Sequence, residues 1–214
     1  MSDLHQGEFA RAELWGFLAF GFSYPEEKQF ALIADGTFRT DVANALRAAM
    51  AMSDDTVQEL TGNLANVGDS FAQFEADYLR SFHTNTPMDS ASLYESHYVR
   101  DKDKPLIMLE LKAFFENFGL AVKKQDGNLE DSLTGVLEMM HFLAKREVQS
   151  LVDSANADPY RRAQADLLNK HMAQWMSAFR ADVDKKLSPG FFRDLATIAD
   201  CFTSYEGGQT LEQI

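Results

Sequence analysis

The sequence has a single cysteine, Cys201, in 214 residues. An intrachain disulfide and a multi-cysteine metal site are thereby excluded. Prolines are few, 5 in all, which leaves long stretches without a helix breaker. Basic residues are in the minority: 20 Lys and Arg face 33 Asp and Glu, for a formal charge of −13. A nucleic-acid or anionic-membrane partner needs a basic footprint, and this composition does not supply one. No apolar run approaches the ~20 residues of a membrane span; the longest apolar patch is Leu14 to Phe22. Met1 to Glu8 lack the basic and apolar regions of a secretory signal. The expectation is a cytoplasmic protein with no direct membrane insertion. Phosphate-binding glycine loops are missing, as is a Gly-x-Ser-x-Gly nucleophile elbow.

What is present is helical. Hydrophobic residues make up 45% of the chain, enough for a real core, and they recur at spacings of three and four. A first helix spans about Glu8 to Phe22, with Trp15, Leu18, Ala19 and Phe22 on one face, and Tyr24-Pro25 ends it. Further helices are predicted over Glu26–Ala34, Asp41–Met52 and Asp54–Val67, the last capped by Ser53. Ser70 caps a helix lined by Phe71, Phe74, Tyr78 and Phe82, and a turn-rich loop covers His83 to Ser92. Pro105 suits the first turn of a helix to Phe118 and Gly119 its exit; Gly127-Asn128 marks a turn. A helix from Leu129 to Asp153 carries Leu133, Val136, Leu137, Met140, Ala144 and Leu151. Asp158-Pro159 opens another, with Leu168, Met172, Trp175 and Phe179 on its buried side. Ser188-Pro189 precedes the last, Gly190 to about Ser204, and Gly207-Gly208 releases a polar tail. The fold expected is an all-α, single-domain helical bundle of about nine to ten helices over residues 1–214, with segments 1–7 and 206–214 flexible.

The chemistry is sparse. Glu138-Met-Met-His141 has the Glu-x-x-His spacing of helical di-iron sites. No other histidine has a glutamate three residues before it, so a second copy is missing. Asp131, Glu138 and Lys145 recur every seven residues, a polar side opposite the Leu133/Leu137/Met140 stripe, with His141 beside them. His171, among Leu167, Leu168, Met172 and Trp175, reads as a helix-packing histidine. The run Ser92-Leu93-Tyr94-Glu95-Ser96-His97-Tyr98 sets hydrogen-bonding groups beside the long loop, where binding residues tend to sit. Residues 51–100 hold eight acids and two bases, so the acidity is concentrated there.

The order of these segments resembles the TorD/DmsD/NarJ family of redox-enzyme maturation chaperones. "ARAELWGFLAFGFSYP" is similar to the family's opening helix, and "FEADYLRSF" to its Glu-x-x-Tyr-x-x-x-Phe segment, supplied by Glu75, Tyr78 and Phe82. Pro87 followed by Ser92-Leu93-Tyr94 resembles its Pro…Ser-x-Tyr loop. "DSLTGVLEMM" is similar to its Asp-His-Leu…Leu-Glu-Phe-Met signature, with Ser132 in the histidine position and Met139 in that of phenylalanine. "HMAQWMSAF" and "FFRDLA" resemble its closing helices. The "LYESHY" wording leans toward chaperones of the dimethyl sulfide, ethylbenzene, selenate and chlorate enzymes.

The resemblance implies a chaperone, not an enzyme, with no cofactor of its own. Its partner would be the catalytic subunit of a molybdenum oxidoreductase, met through an N-terminal leader of the twin-arginine type. The implied leader and client contacts are Glu75, Tyr78, Phe82, Ser92, Tyr94, Glu95, His97, Tyr98, Asp131, Ser132 and Glu138. Asp131 and Glu138 would pair with arginines, and Tyr78, Phe82, Tyr94 and Tyr98 would wall an apolar groove. Two rivals stand beside this reading: a carboxylate–histidine metalloprotein on Glu138 and His141, and a helical scaffold for another protein.

Overall fold

The computed structural model describes residues 5–83, 90–120 and 129–212, with side chains to residue 209. Within them are α1 (Gln6–Phe22), α2 (Glu27–Ala34), α3 (Thr37–Met50), α4 (Asp54–Leu60), α5 (Phe71–Phe82) and α6 (Glu95–Tyr98). There follow α7 (Lys104–Asn117), α8 (Leu133–Val152), α9 (Asp158–Leu167), a π-helical turn at Leu168–Met172, α10 (Met176–Lys186) and α11 (Phe191–Glu212). The all-α class is as the periodicity predicts. Sheet structure among the described residues is confined to one isolated antiparallel bridge, Tyr94 with Ser132.

α1 is the central helix. It packs chiefly on α8 and α3, with α11 against a further side. Its buried residues, among them Ala12, Leu14, Trp15, Leu18 and Phe22, point in several directions, as expected of a helix enclosed by neighbours. α1 and α8 approach closely at Gly16, where an added methyl would come to 2.8 Å from the His141 ring. The same core takes Phe74, Tyr78 and Phe82 from α5, and Met172, Trp175 and Phe179 from the chain after α9. Those sequence-derived stripes are buried where periodicity put them.

Boundaries differ where capping outranks periodicity. α3 begins four residues before Asp41, because Gly36 takes the left-handed conformation (φ +84°) and Asp35 accepts the Thr37 N–H. Ala51, also at positive φ, closes it. α4 stops at Leu60, where Thr61 turns its hydroxyl back to the Val57 carbonyl. α8 begins at Leu133 instead of Leu129: Ser132 accepts the Gly135 N–H at 3.2 Å and is its N-cap. The long helix expected after Pro159 divides at the π-turn and at Trp175 (φ −133°). With this division and the short α6, the described residues hold eleven α-helices, against the about nine to ten expected.

The largest correction is at the end of the chain. α11 does not release a tail at Gly207-Gly208 but continues to Glu212. Glu206 is buried and receives a bidentate pair from Arg11, Nε–Oε1 at 2.9 Å and Nη2–Oε2 at 2.5 Å. α1 likewise starts at Gln6, inside the segment expected to be flexible. The Gly127-Asn128 turn, the middle of the His83–Ser92 loop and Pro87 lie outside the described residues.

Candidate functional site

The end of α1 organises the site. The last carbonyls of a helix have no partner within it, and here side chains from three other elements supply them. Ser23 and Gln29 donate to the Phe20 carbonyl. Tyr78 of α5 and Thr134 of α8 both donate to the Phe22 carbonyl, at 3.1 and 3.2 Å. α2, α5 and α8 are thereby fixed around the exit of α1. Between them opens a cleft of about 640 Å³, within the size range of ligand sites. Tyr24, Leu32, Tyr78, Phe82 and Tyr94 give it apolar and aromatic walls, and Glu26 and Glu138 line it against one cation, Lys28.

Of the residues proposed from sequence, Tyr78, Phe82, Tyr94, Ser132 and Glu138 line this cleft together. Tyr78 and Phe82 are nearly covered by the core, whereas Tyr24 and Leu32 are 52% and 44% exposed at its edge. Glu75 stands beside it, accepting the Tyr24 hydroxyl at 2.6 Å. That bond holds the Tyr24 hydroxyl above the ordinary phenol range, and burial does the same to Tyr78. Sequence reading missed Tyr24, Glu26 and Leu32, treating Tyr24-Pro25 only as a helix stop. The available signal was the short α2, whose Glu26 opens a capping box with Gln29.

The other proposed residues make a second, internal cluster. Asp131 is fully buried and precedes α8, so the seven-residue repeat with Glu138 and Lys145 does not put it on a solvated face. Its Oδ2 accepts the Ser96 N–H at 3.2 Å and its carbonyl the Glu95 N–H at 3.0 Å. Asp131 thus caps α6. Glu95, also fully buried, holds His171 Nδ1 with both oxygens at 3.2 Å. Burial pushes its carboxyl above the usual carboxylate range, against the pull of His171. Tyr98 stacks on Trp175, centroids 5.5 Å apart, and its hydroxyl lies 3.1 Å from both Asp182 Oδ2 and the Ser92 carbonyl, which compete for its one proton. His97 alone of this group is exposed, edge-on to Tyr98. These residues position the Tyr94 wall; they do not line the cleft. Replacing Asp131 by Ala should therefore destabilise the protein by about 1–2 kcal/mol, the loss of a helix cap. Urea titration measures it, and an unchanged midpoint would remove Asp131 from this anchoring role.

The Glu138/His141 pair does not form a metal centre in this arrangement. His141 Nδ1 is bonded to the Ala12 carbonyl at 2.7 Å, its ring against Gly16. Among the described residues no three His, Cys, Asp or Glu side chains gather so as to hold an ion. Lys145 of the same repeat pairs with Glu13 at 2.8 Å. A second concavity of similar size, between α3 and α4, is lined by Asp35, Arg39, Asp41, Arg47 and Asp54 but by no aromatic residue. No described helix is long and apolar enough to cross a membrane.

Comparison with known proteins sets this geometry in context. The model of the nitrate reductase delta subunit family matches residues 40–181. The perchlorate reductase assembly chaperone protein of Dechloromonas aromatica (strain RCB) is 36% identical, over 90% of this chain and 86% of its own. The selenate reductase assembly chaperone protein of Thauera selenatis is 34% identical over 50% of this chain and 55% of its own. In fold, the chain is similar to a solved structure assigned as a redox enzyme maturation protein from Archaeoglobus fulgidus. The TM-score is 0.51 at 16% identity, covering 91% of this chain and 92% of that one.

Proposed function

Because the chain belongs to the nitrate reductase delta subunit (TorD/NarJ) family, whose named members are assembly chaperones and not catalysts, we propose that its cleft receives the client's N-terminal leader. The client is the catalytic subunit of a molybdenum oxidoreductase, and the leader carries paired arginines followed by an apolar stretch. Glu138 and Glu26 pair with the guanidinium groups, and Tyr24, Leu32, Tyr78, Phe82 and Tyr94 take the apolar residues. The chaperone acts in the cytoplasm, holding the apo-subunit until its cofactor is inserted and so delaying export or membrane attachment.

One observation carries this reading: two acids, Glu26 and Glu138, and a single lysine, Lys28, share a cleft with aromatic and aliphatic walls, and Tyr24 and Leu32 are exposed at its edge. Such a site suits a short segment with a cationic head and an apolar body. Its two carboxylates against one lysine favour a cation over an anion. The relatives are named as assembly chaperones of perchlorate, selenate and chlorate reductases and of dimethyl sulfide dehydrogenase, which supports a client of that kind.

Calorimetric titration with a synthetic leader peptide at low and high salt tests the proposal. Affinity should fall as salt rises, because part of the attraction is between a chain of net charge −13 and an arginine-bearing ligand. Binding that ignores salt would leave only the apolar half of the reading standing. No binding at either salt would sink it.

A further inference from the structure

The cleft has a carboxylate beside it that is engaged by a residue of the protein itself. Glu75, half-buried on α5, accepts the Tyr24 hydroxyl at 2.6 Å. The Tyr24 ring stands edge-on to Tyr78, a wall of the cleft, with centroids 5.6 Å apart. The backbone beneath Tyr24 is anchored on both sides. Ser23 is tied to the Phe20 carbonyl and to Gln29, and Pro25 fixes the next step of the chain. The Tyr24 side chain, half exposed, is held mainly by its one hydrogen bond and an edge contact. It can swing without moving a helix.

The geometry points to Tyr24 as a specificity-determining residue that masks Glu75, a further carboxylate subsite for an arginine of the bound segment. This rests on the cleft being where the leader binds. A phenol gives Glu75 one hydrogen bond and no charge. A guanidinium gives two parallel, charge-assisted bonds, and so can displace the phenol. A lysine ammonium offers a single compact charge and competes less well at a bidentate acceptor. An apolar or neutral segment leaves the mask in place. Tyr24 therefore raises the threshold for entry, and the ligand it favours is one whose cation forks.

The test uses the full chain and two synthetic peptides, identical except for adjacent arginines in one and adjacent lysines in the other. Tyr24→Phe keeps the ring against Tyr78 and removes the competing hydroxyl. Affinity of the arginine peptide should rise about three- to ten-fold, the worth of one exposed hydrogen bond to a charged acceptor. Glu75→Gln should weaken the arginine peptide and narrow its advantage over the lysine peptide. In the Glu75→Gln background, Tyr24→Phe should change affinity by less than about two-fold, since the mask then hides nothing. Thermal melts confirm that each variant is folded. Unchanged or weaker binding by Tyr24→Phe alone overturns the mask while leaving the cleft in place. Failure of the unaltered protein to bind the arginine peptide overturns the cleft assignment and the mask together.

Discussion

Arg11→Ala should lower stability by about 3–5 kcal/mol, the range for removing one partner of a buried ion pair. For a chain of this size that is roughly a 10 °C loss in melting temperature. The Arg11 side chain is only 26% exposed and joins two acids that are almost wholly covered. Glu206 of α11 takes two bonds from it, and Glu147 of α8 lies 3.8 Å from its Nη1. Glu147 also receives Arg161 at 2.7 Å and Gln164 at 2.8 Å, which ties α9 into the same group. Without Arg11, Glu206 loses its guanidinium and Glu147 its second cation. The effect should be largest at the end of α11, with amides near residue 206 exchanging faster than those near Phe202. Arg11→Lys should fall between, since it keeps the charge without the fork. Urea titration and amide exchange check this, and an unchanged midpoint would mean the network contributes no stability.

How far the sequence discloses this molecule depends on whether the deciding interaction is local. Periodic stripes are local, and the burial of Trp15, Leu137, Trp175 and Phe179 follows from spacing alone. So does the cap at Ser70, which accepts the Gln73 N–H. The end of α11 was not legible. Two adjacent glycines read as a stop, and the bond that overrides them comes from a residue 195 positions away. The same distinction divides the candidate site. Tyr78 and Phe82, Tyr94, and Ser132 and Glu138 lie on separate elements and meet at one cleft only through long-range packing. Asp131 was misread because a seven-residue repeat presupposes a continuous helix, and Ser132 caps α8 one residue later. Tyr24 and Glu26 carry no motif. They line the cleft only because the exit of α1 is tied to α5 and α8.

Glu138→Lys should weaken binding of an arginine-bearing leader peptide by about 100-fold or more, with little change in melting temperature. Glu138 lies on the exposed side of α8 while lining the cleft, so the substitution opens no core cavity, unlike Leu137→Ala at about 2–5 kcal/mol. Two effects add. The charge-assisted bond is lost, at about 1.5–3 kcal/mol, and a cation now faces the incoming guanidinium, a like-charge contact that penalises association further. A general fall in acidity would produce some of the same loss, so the comparison is Glu59→Lys. Glu59 is exposed on α4, outside the cleft lining, and its replacement changes the net charge by the same two units. At physiological salt the Debye length is about 8 Å, and the Glu59 variant should bind within about two-fold of the unaltered protein. Equal losses in both variants would reduce the acidic cleft to a bulk charge effect. Loss confined to Glu138→Lys, with a flatter dependence on salt, would locate the cationic end of the leader at this wall.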